Sequence, residues 1–452
     1  MATASDTAAT SDTGGQSLGL ATSTALVIGN MVGSGFFVAP AALARYGTTA
    51  LIGWAVMAVG AVCLGLVFAR LARIAPATGG PYAYTRMGFG HFAGFMIAWG
   101  YWISIWASLP AMAAALVGYL ASLVPALRGH RALGIAIALG AMWGVALLNM
   151  RGVKQAGLFA AVTTYTKIVP FAAISTLGLF WVDWHTFDTV NPTGEPFLSA
   201  LAATAPLTMF AFLGIESATV PAGDVIDPRR TIPRATVLGT LVSAAIYILG
   251  TAVVMGVLPR EALGHSSAPF ADAARAMWGE WAATVIALAA IVSSLGALNG
   301  WTLMLSQVPM AAARDGAMPP IFARVSSRGV AAQGLAVSVA LSTLLVLFSA
   351  SGTSAFVAFY NLVVNLSTDA AMIPYVFCSV VEAVLFVQRK PISRALRVGP
   401  FTPVALVAFV FSLGTIYGAG AEAGMWSLIL VLLAAPVWVF LRTSHGDSEE
   451  KA

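Results

Sequence analysis

The chain predicts an all-α polytopic membrane protein with twelve transmembrane helices, on three observations. Charged residues make up 9% of its 452 residues and hydrophobic ones 59%, whereas soluble domains carry about a quarter charged residues. Apolar runs long enough to cross a bilayer recur along the whole chain. Two of those runs, the first and the sixth, are interrupted in mid-membrane by glycine beside a polar residue. Breaks five helices apart are the pattern of a five-plus-five inverted repeat, whose binding site lies between broken helices 1 and 6.

The apolar runs fall at about 18–45, 49–73, 92–124, 133–150, 157–181, 198–222, 235–258, 279–309, 332–349, 352–386, 400–419 and 426–442. The first repeat then takes 18–181 and the second 198–386; the helices at 400–442 lie outside it and serve packing or contacts in a homodimer. Residues 1–17 lack the basic segment of a signal peptide and read as a disordered cytoplasmic tail, with a second tail at 443–452. With both termini in the cytoplasm, seventeen of the 23 basic residues fall on the inner side, among them Arg70, Arg73, Arg86, Arg229, Arg230, Arg389 and Lys390. Only Arg45, Arg128, Arg131, Arg260 and Arg275 fall outside. That asymmetry is the positive-inside signature, and it predicts a bacterial-type inner membrane protein in contact with lipid.

The same distribution explains the net charge of +5 without a nucleic-acid partner. Cys63 and Cys378 lie in separate apolar runs and imply neither a disulfide nor a metal cluster. The five histidines sit at helix ends or in loops, with no metal-pair spacing. No metal and no cofactor is expected. An intramembrane enzyme would need converging catalytic groups, and a channel would need a continuous polar pore. The residues around the breaks are mostly aromatic and apolar, which suits an occluding carrier.

The first break reads Gly29-Asn30-Met31-Val32-Gly33-Ser34-Gly35-Phe36-Phe37. Gly33 and Gly35 lower helix propensity where a plain anchor would carry Leu or Ala. Backbone unwinds at membrane depth only where it is buried in protein or lines a cavity. An unwound turn gives the second half-helix a free N-terminus that attracts an anion. The competing reading of Gly-Ser-Gly is close packing of a neighbouring helix. The second break is Phe210-Ala211-Phe212-Leu213-Gly214-Ile215-Glu216-Ser217, and a plain structural bundle has no reason to break at both corresponding places.

These residues resemble the amino acid–polyamine–organocation superfamily of transporters. The resemblance rests on both breaks, on Pro76-Ala77-Thr78-Gly79-Gly80-Pro81-Tyr82-Ala83-Tyr84-Thr85-Arg86, on Asp227-Pro228-Arg229-Arg230-Thr231-Ile232-Pro233 and on Asn299-Gly300-Trp301. It is closest to the basic amino acid/polyamine antiporter branch and runs from about 18 to 440. It implies the leucine-transporter-like fold and a secondary carrier of amino acids or related amines working by alternating access, as an exchange antiporter, with proton-coupled uptake of neutral amino acids as the alternative.

The resemblance also implies roles for individual residues. Gly33, Ser34 and Gly35 would hold the substrate carboxylate, with Asn30 beside them. Carbonyls at Met31, Phe210 and Leu213 would hold the α-amino group. Trp301 would close the site from one side, and Ser104, Met112 and Ser367 would line it. Glu216, with Tyr101 and Tyr375, would gate it. Two positions depart from the arginine-exchanging members, which carry tryptophan at Phe210 and asparagine at Leu109. Phe210 keeps an aromatic face but loses the indole N–H, and Leu109 offers nothing to a buried guanidinium. The expectation is preference for neutral or moderately apolar amino acids.

Two charges lie inside predicted spans. Lys167 sits about 15 Å from the cytoplasmic end of the fifth run at helical rise, too deep to snorkel. In sodium-independent members of this fold a lysine here is thought to occupy the place of a sodium ion, between the unwound first helix and serines of the eighth, here Ser293 and Ser294. The alternative is a static ion pair with Asp369. Asp369 itself would contact a cationic substrate, pair with Lys167 or carry a proton. Glu216 would either titrate or cap the broken helix. Intramembrane ionisable groups are functional by default.

Overall fold

The computed structural model describes residues 18–74, 80–127, 129–219, 225–327, 329–350, 356–387 and 402–449. Residues 1–17, Arg328 and the basic stretch holding Arg389, Lys390, Arg394 and Arg397 lie outside them, as does part of the Pro76–Gly80 motif.

The described residues form α1 (Leu20–Met31), α2 (Ser34–Leu43), α3 (Thr48–Ile74), α4 (Pro81–Phe89), α5 (His91–Leu123), α6 (Arg131–Met150), α7 (Val153–Leu177), α8 (Phe197–Phe212) and α9 (Pro228–Val257). They continue through α10 (Arg260–His265), α11 (Pro269–Trp278), α12 (Glu280–Arg314), α13 (Ala332–Ala350), α14 (Phe356–Val387), α15 (Thr402–Gly418), α16 (Gly420–Leu432) and α17 (Ala434–Glu449). Short 3₁₀ turns join several of them, the one at Ile215–Thr219 being the most consequential.

Nine helical stretches among the described residues are long and apolar enough to cross a membrane, and three shorter apolar helices accompany them at Thr166–Trp181, Ala332–Phe348 and Pro403–Gly418. The chain is therefore an all-helical polytopic membrane protein. Large apolar side chains such as Phe348, Phe440 and Val59 are exposed, as surfaces that meet lipid rather than water.

The expected break in the sixth run is present: α8 stops at Phe212 and gives way to a 3₁₀ turn. Two details differ from the sequence expectation. The last run divides at Leu433 into α16 and α17, because Pro436 lacks the N–H that a continuous helix would need there. Helix α17 then extends to Glu449, into the segment expected as tail.

The core is built on α5, which packs along both α12 and α14, while α1 and α2 thread between α8, α9 and α12. The long α12 and α14 are thus the walls against which the first break is held. At one membrane face α4 and the end of α12 meet: Arg86 pairs with Asp315, whose carboxylate also accepts from the Tyr82 hydroxyl at 3.0 Å. Burial and the neighbouring Asp315 push the Tyr82 hydroxyl up to about 12, so it remains a donor at physiological pH. Arg70 and Glu382 form a second pair on α3 and α14, mostly buried at 16% and 15% side-chain exposure. Asp315→Asn removes the ionic part of the α4–α12 tie, a partly exposed interaction of about 0.5–1 kcal/mol. Label access to a cysteine placed behind α4 is expected to rise about two- to fivefold; unchanged access would mean that the tie does not bar this face.

Candidate functional site

The first break is where the chain stops being helical because it is held from outside. Val32 is extended (ψ 94°) and Gly33 is extended as well (φ −154°, ψ −149°). Lys167 on α7 donates to the Gly29 carbonyl at 2.5 Å and the Val32 carbonyl at 2.6 Å. Those acceptors belong to the last turn of α1 and the residue after it, which lack helical donors of their own. Ser293 on α12 donates to the same Val32 carbonyl at 3.2 Å. Lys167 and Ser293 are both fully buried. Of the two expected serines, Ser293 meets the break, while the Ser294 hydroxyl is buried with no hydrogen-bond partner among the described residues.

Beyond the break, the first amides of α2, at Ser34 and Gly35, have no helical acceptor. The Ser34 hydroxyl is buried and has no partner among the described residues, while its carbonyl accepts from the Tyr360 hydroxyl at 2.8 Å. Gly35 lies directly on α8. A Cβ there would fall 2.8 Å from the Ala211 Cα and 3.0 Å from both the Ala211 nitrogen and the Phe210 ring. The two broken helices therefore touch backbone to side at the expected anion seat, a contact only glycine permits.

The second break has its own glycine. Leu213 is extended and Gly214 takes φ +98°, a left-handed conformation that favours glycine. The chain then turns through Ile215–Thr219 with Glu216 fully buried. Both Glu216 oxygens accept hydroxyl hydrogen bonds, one from Tyr101 on α5 and one from Tyr375 on α14. Phe68 on α3 packs edge-on against Tyr375 with ring centroids 5.1 Å apart. The three expected gate residues thus form one closed clamp that joins the second break to α5 and α14.

Asn30 connects the two breaks. A Cβ on Gly214 would sit 3.3 Å from the Asn30 Cβ, and one on Gly300 would sit 2.3 Å from its Oδ1. Its carbonyl accepts from the Trp301 indole at 3.4 Å. Met31 and Trp301 are both buried, each 2% exposed. Phe210 meets Tyr360 edge-on, centroids 6.4 Å apart at 87°. Asn30, Met31, Gly33, Ser34, Gly35, Phe210, Leu213 and Trp301 are therefore brought together around the facing breaks.

The remaining expected residues fall less centrally. Ser104 and Ser367 tie α5 to α14, the Ser367 hydroxyl donating to the Ser104 carbonyl at 2.8 Å. Met112 lies on the helical stripe of Tyr101, and Leu109 about 60° round from it; both are buried. Asp369 is elsewhere. It forms no ion pair with Lys167 among the described residues, and it faces α16, where a Cβ on Gly424 would sit 3.5 Å from its Oδ2. The static Lys167–Asp369 pair is thereby excluded. Lys167 is satisfied by carbonyls, and α14 turns Asp369 the other way.

Several residues here were not anticipated. Tyr360 braces Ser34, Tyr119 donates to the Phe37 carbonyl at 2.9 Å, and Tyr247 donates to the Ala211 carbonyl at 2.9 Å. The signal was available, since a tyrosine inside an apolar run needs a partner for its hydroxyl. Phe36 and Phe37 pack against Phe171, Tyr119, Tyr247 and Phe270 in an aromatic plug beside the break, with only Phe37 and Phe171 stacked face to face.

Chemically, the arrangement offers an anion seat at Ser34–Gly35, carbonyl acceptors on both broken helices and aromatic walls. Among the described residues it holds no nucleophile–base pair. Residues 18–440 match the amino acid permease family model. The chain is 32% identical over 439 residues to the putrescine transporter PotE of Escherichia coli strain K12, covering 95% of this chain and 98% of the relative. It is 30% identical over 426 residues to PotE of Haemophilus influenzae, covering 94% and 97%. It is also 32% identical over 383 residues to the cadaverine/lysine antiporter of Escherichia coli strain K12, covering 82% and 83%.

Proposed function

The chain belongs to the amino acid permease family, and on that premise we propose that it is a secondary carrier exchanging amino acids or related amines by alternating access. The observation that carries this is the pair of facing helix breaks, with a buried, unpartnered Ser34 hydroxyl beside free amides of α2 and acceptor carbonyls opposite. Such a seat binds a carboxylate through backbone dipoles without an arginine. The protein is a transporter and not an enzyme.

The finer reading is a twelve-span, five-plus-five inverted repeat over 18–181 and 198–386, in an inner membrane, with both termini cytoplasmic. It is supported by the spacing of the two breaks, by three short apolar helices beside the nine long ones and by the bias of basic residues. Helices α15 to α17 pack outside this core and offer a surface to lipid or to a second copy. The Glu216 clamp and the aromatic plug act as the gates on either side of the substrate seat.

For selectivity, Leu109 and Phe210 favour a neutral side chain over a guanidinium, whose donors would be left unpaired at a cost of several kcal/mol. A diamine is the second reading, favoured by the relatives named for putrescine and for cadaverine with lysine. A diamine has no carboxylate for Ser34–Gly35, and both Glu216 oxygens are taken by tyrosines. Counterflow in proteoliposomes, with a labelled neutral amino acid competed against a panel, is expected to rank neutral amino acids above arginine and diamines. Diamines ranking first would move the substrate contact to Glu216. Absence of trans-stimulation would make the protein a channel, and accumulation driven by a proton gradient with no internal substrate would identify symport.

A further inference from the structure

Helix α14 has a second polar face that the substrate seat does not use. Tyr360, Ser367 and Tyr375 lie on its inward stripe and bond Ser34, Ser104 and Glu216. Asn361, Asn365 and Asp369 follow one another at four-residue spacing on another stripe, with Asp369 about 180° round from Tyr360. The side-chain carbonyl oxygens of Asn361 and Asn365 and one carboxylate oxygen of Asp369 are all buried without a hydrogen-bond partner among the described residues. Three consecutive orphaned acceptors on one stripe of a membrane helix are not explained by packing. Polar groups in a bilayer are costly, and they mark ion or proton routes.

The line runs about 12 Å along α14 and ends about 20 Å from Phe356, in mid-membrane, at a carboxylate with 1% exposure. No cation pairs with it among the described residues. Of the elements packed on α14, α5 brings His91 at its start and Tyr101 and Tyr119, bonded to Glu216 and Phe37. Helix α3 brings Cys63, Arg70 (paired with Glu382) and Arg73 (bonded to the Arg229 carbonyl). Helix α4 brings Arg86, paired with Asp315, and Tyr82 and Tyr84. Helix α15 brings Tyr417, which is 80% exposed; α10 brings Arg260, Glu261 and His265, and α2 and α8 bring no titratable group. Helix α16 meets Asp369 through Gly424, its Glu422 being exposed. A bare carboxylate in this setting carries a heavy desolvation penalty that a bound proton removes.

We propose that Asp369 is a proton-binding site reached along Asn361 and Asn365 from the N-terminal end of α14, and that it sets the pH dependence of exchange. This rests on the carrier reading. One proton passes from water to an Asp369 oxygen and back, and only that O–H bond forms and breaks. Because α14 is one continuous helix, a shift of its α16-facing side moves Tyr360, Ser367 and Tyr375 together. Protonation therefore reaches both breaks without contact with substrate.

The test is counterflow by the purified full chain in proteoliposomes at graded external pH. A single site allows up to about a tenfold rate change per pH unit in wild type. Asp369→Asn is expected to run at the acid-side rate at every pH, and Asp369→Glu to recover a pH response. Asn361→Leu with Asn365→Leu is expected to slow the response to a pH jump while substrate affinity holds. A wild-type pH response in Asp369→Asn overturns the proposal. So does a wild type whose counterflow ignores pH, and so does loss of counterflow at all pH in a folded Asp369→Asn. A wild type with no counterflow at all fails the carrier reading instead.

Discussion

Gly35→Val abolishes transport, because the first and second breaks meet at this residue. Its new Cβ would fall 2.8 Å from the Ala211 Cα and 3.0 Å from the Ala211 nitrogen. These are backbone atoms of α8 and cannot swing aside as a flexible side chain would. Overpacking of this kind costs about 1–3 kcal/mol, and the only relief is to part α2 from α8. Parting them carries the α2 amides away from the carbonyls of Phe210 and Leu213. A displacement on the order of 1 Å at a reacting or binding centre lowers rates about 100-fold, so uptake should fall at least that far. Ser34→Ala is the milder companion: the Ser34 hydroxyl has no partner to lose, and binding should weaken severalfold through the substrate alone. Gly140→Val is the control, since nothing lies within 4 Å of a Cβ there. Thermal melts in detergent separate seat from fold. Gly35→Val transporting with unchanged affinity would remove the first break from the substrate site.

Lys167→Ala is expected to lose transport by a comparable factor, for a different reason. The Lys167 ammonium is what holds the Gly29 and Val32 carbonyls, 2.5 and 2.6 Å away. Removing it leaves the buried Gly29 carbonyl without this donor, at about 1–3 kcal/mol, while Val32 keeps only Ser293. The break can answer by rewinding into α1, which would take the seat with it. Because the acceptors already have a cation, wild-type transport is expected to need no sodium. Lys167→Arg keeps a fixed charge, so whatever activity it retains should follow the wild-type pH profile. A flattened profile in that variant would make Lys167 the titrating group in place of Asp369. Full activity in Lys167→Ala would reduce the residue to packing.

Local composition and periodicity already specify part of this molecule. Apolar run length specifies spanning helices, because lipid leaves backbone groups no other partner. Glycine with serine or glutamate inside such a run marks a break, and α1 does stop at Met31 and α8 at Phe212. Lys167 was legible as a residue that must find partners, since a charge at that depth is costly to bury alone. What the sequence leaves open is pairing between distant segments. Helical phase turned Asp369 away from the pocket, yet whether it reached Lys167 depended on the placement of α7, α14 and α16. The tertiary structure settled this by giving the lysine to Gly29 and Val32 and the aspartate to the Gly424 side. Likewise Tyr360, Tyr119 and Tyr247 carry no local mark of the carbonyls they cap. Hydrogen-bond donors bury wherever a partner arrives, and partners from positions 34, 37 and 211 arrive only when the bundle closes around the two breaks.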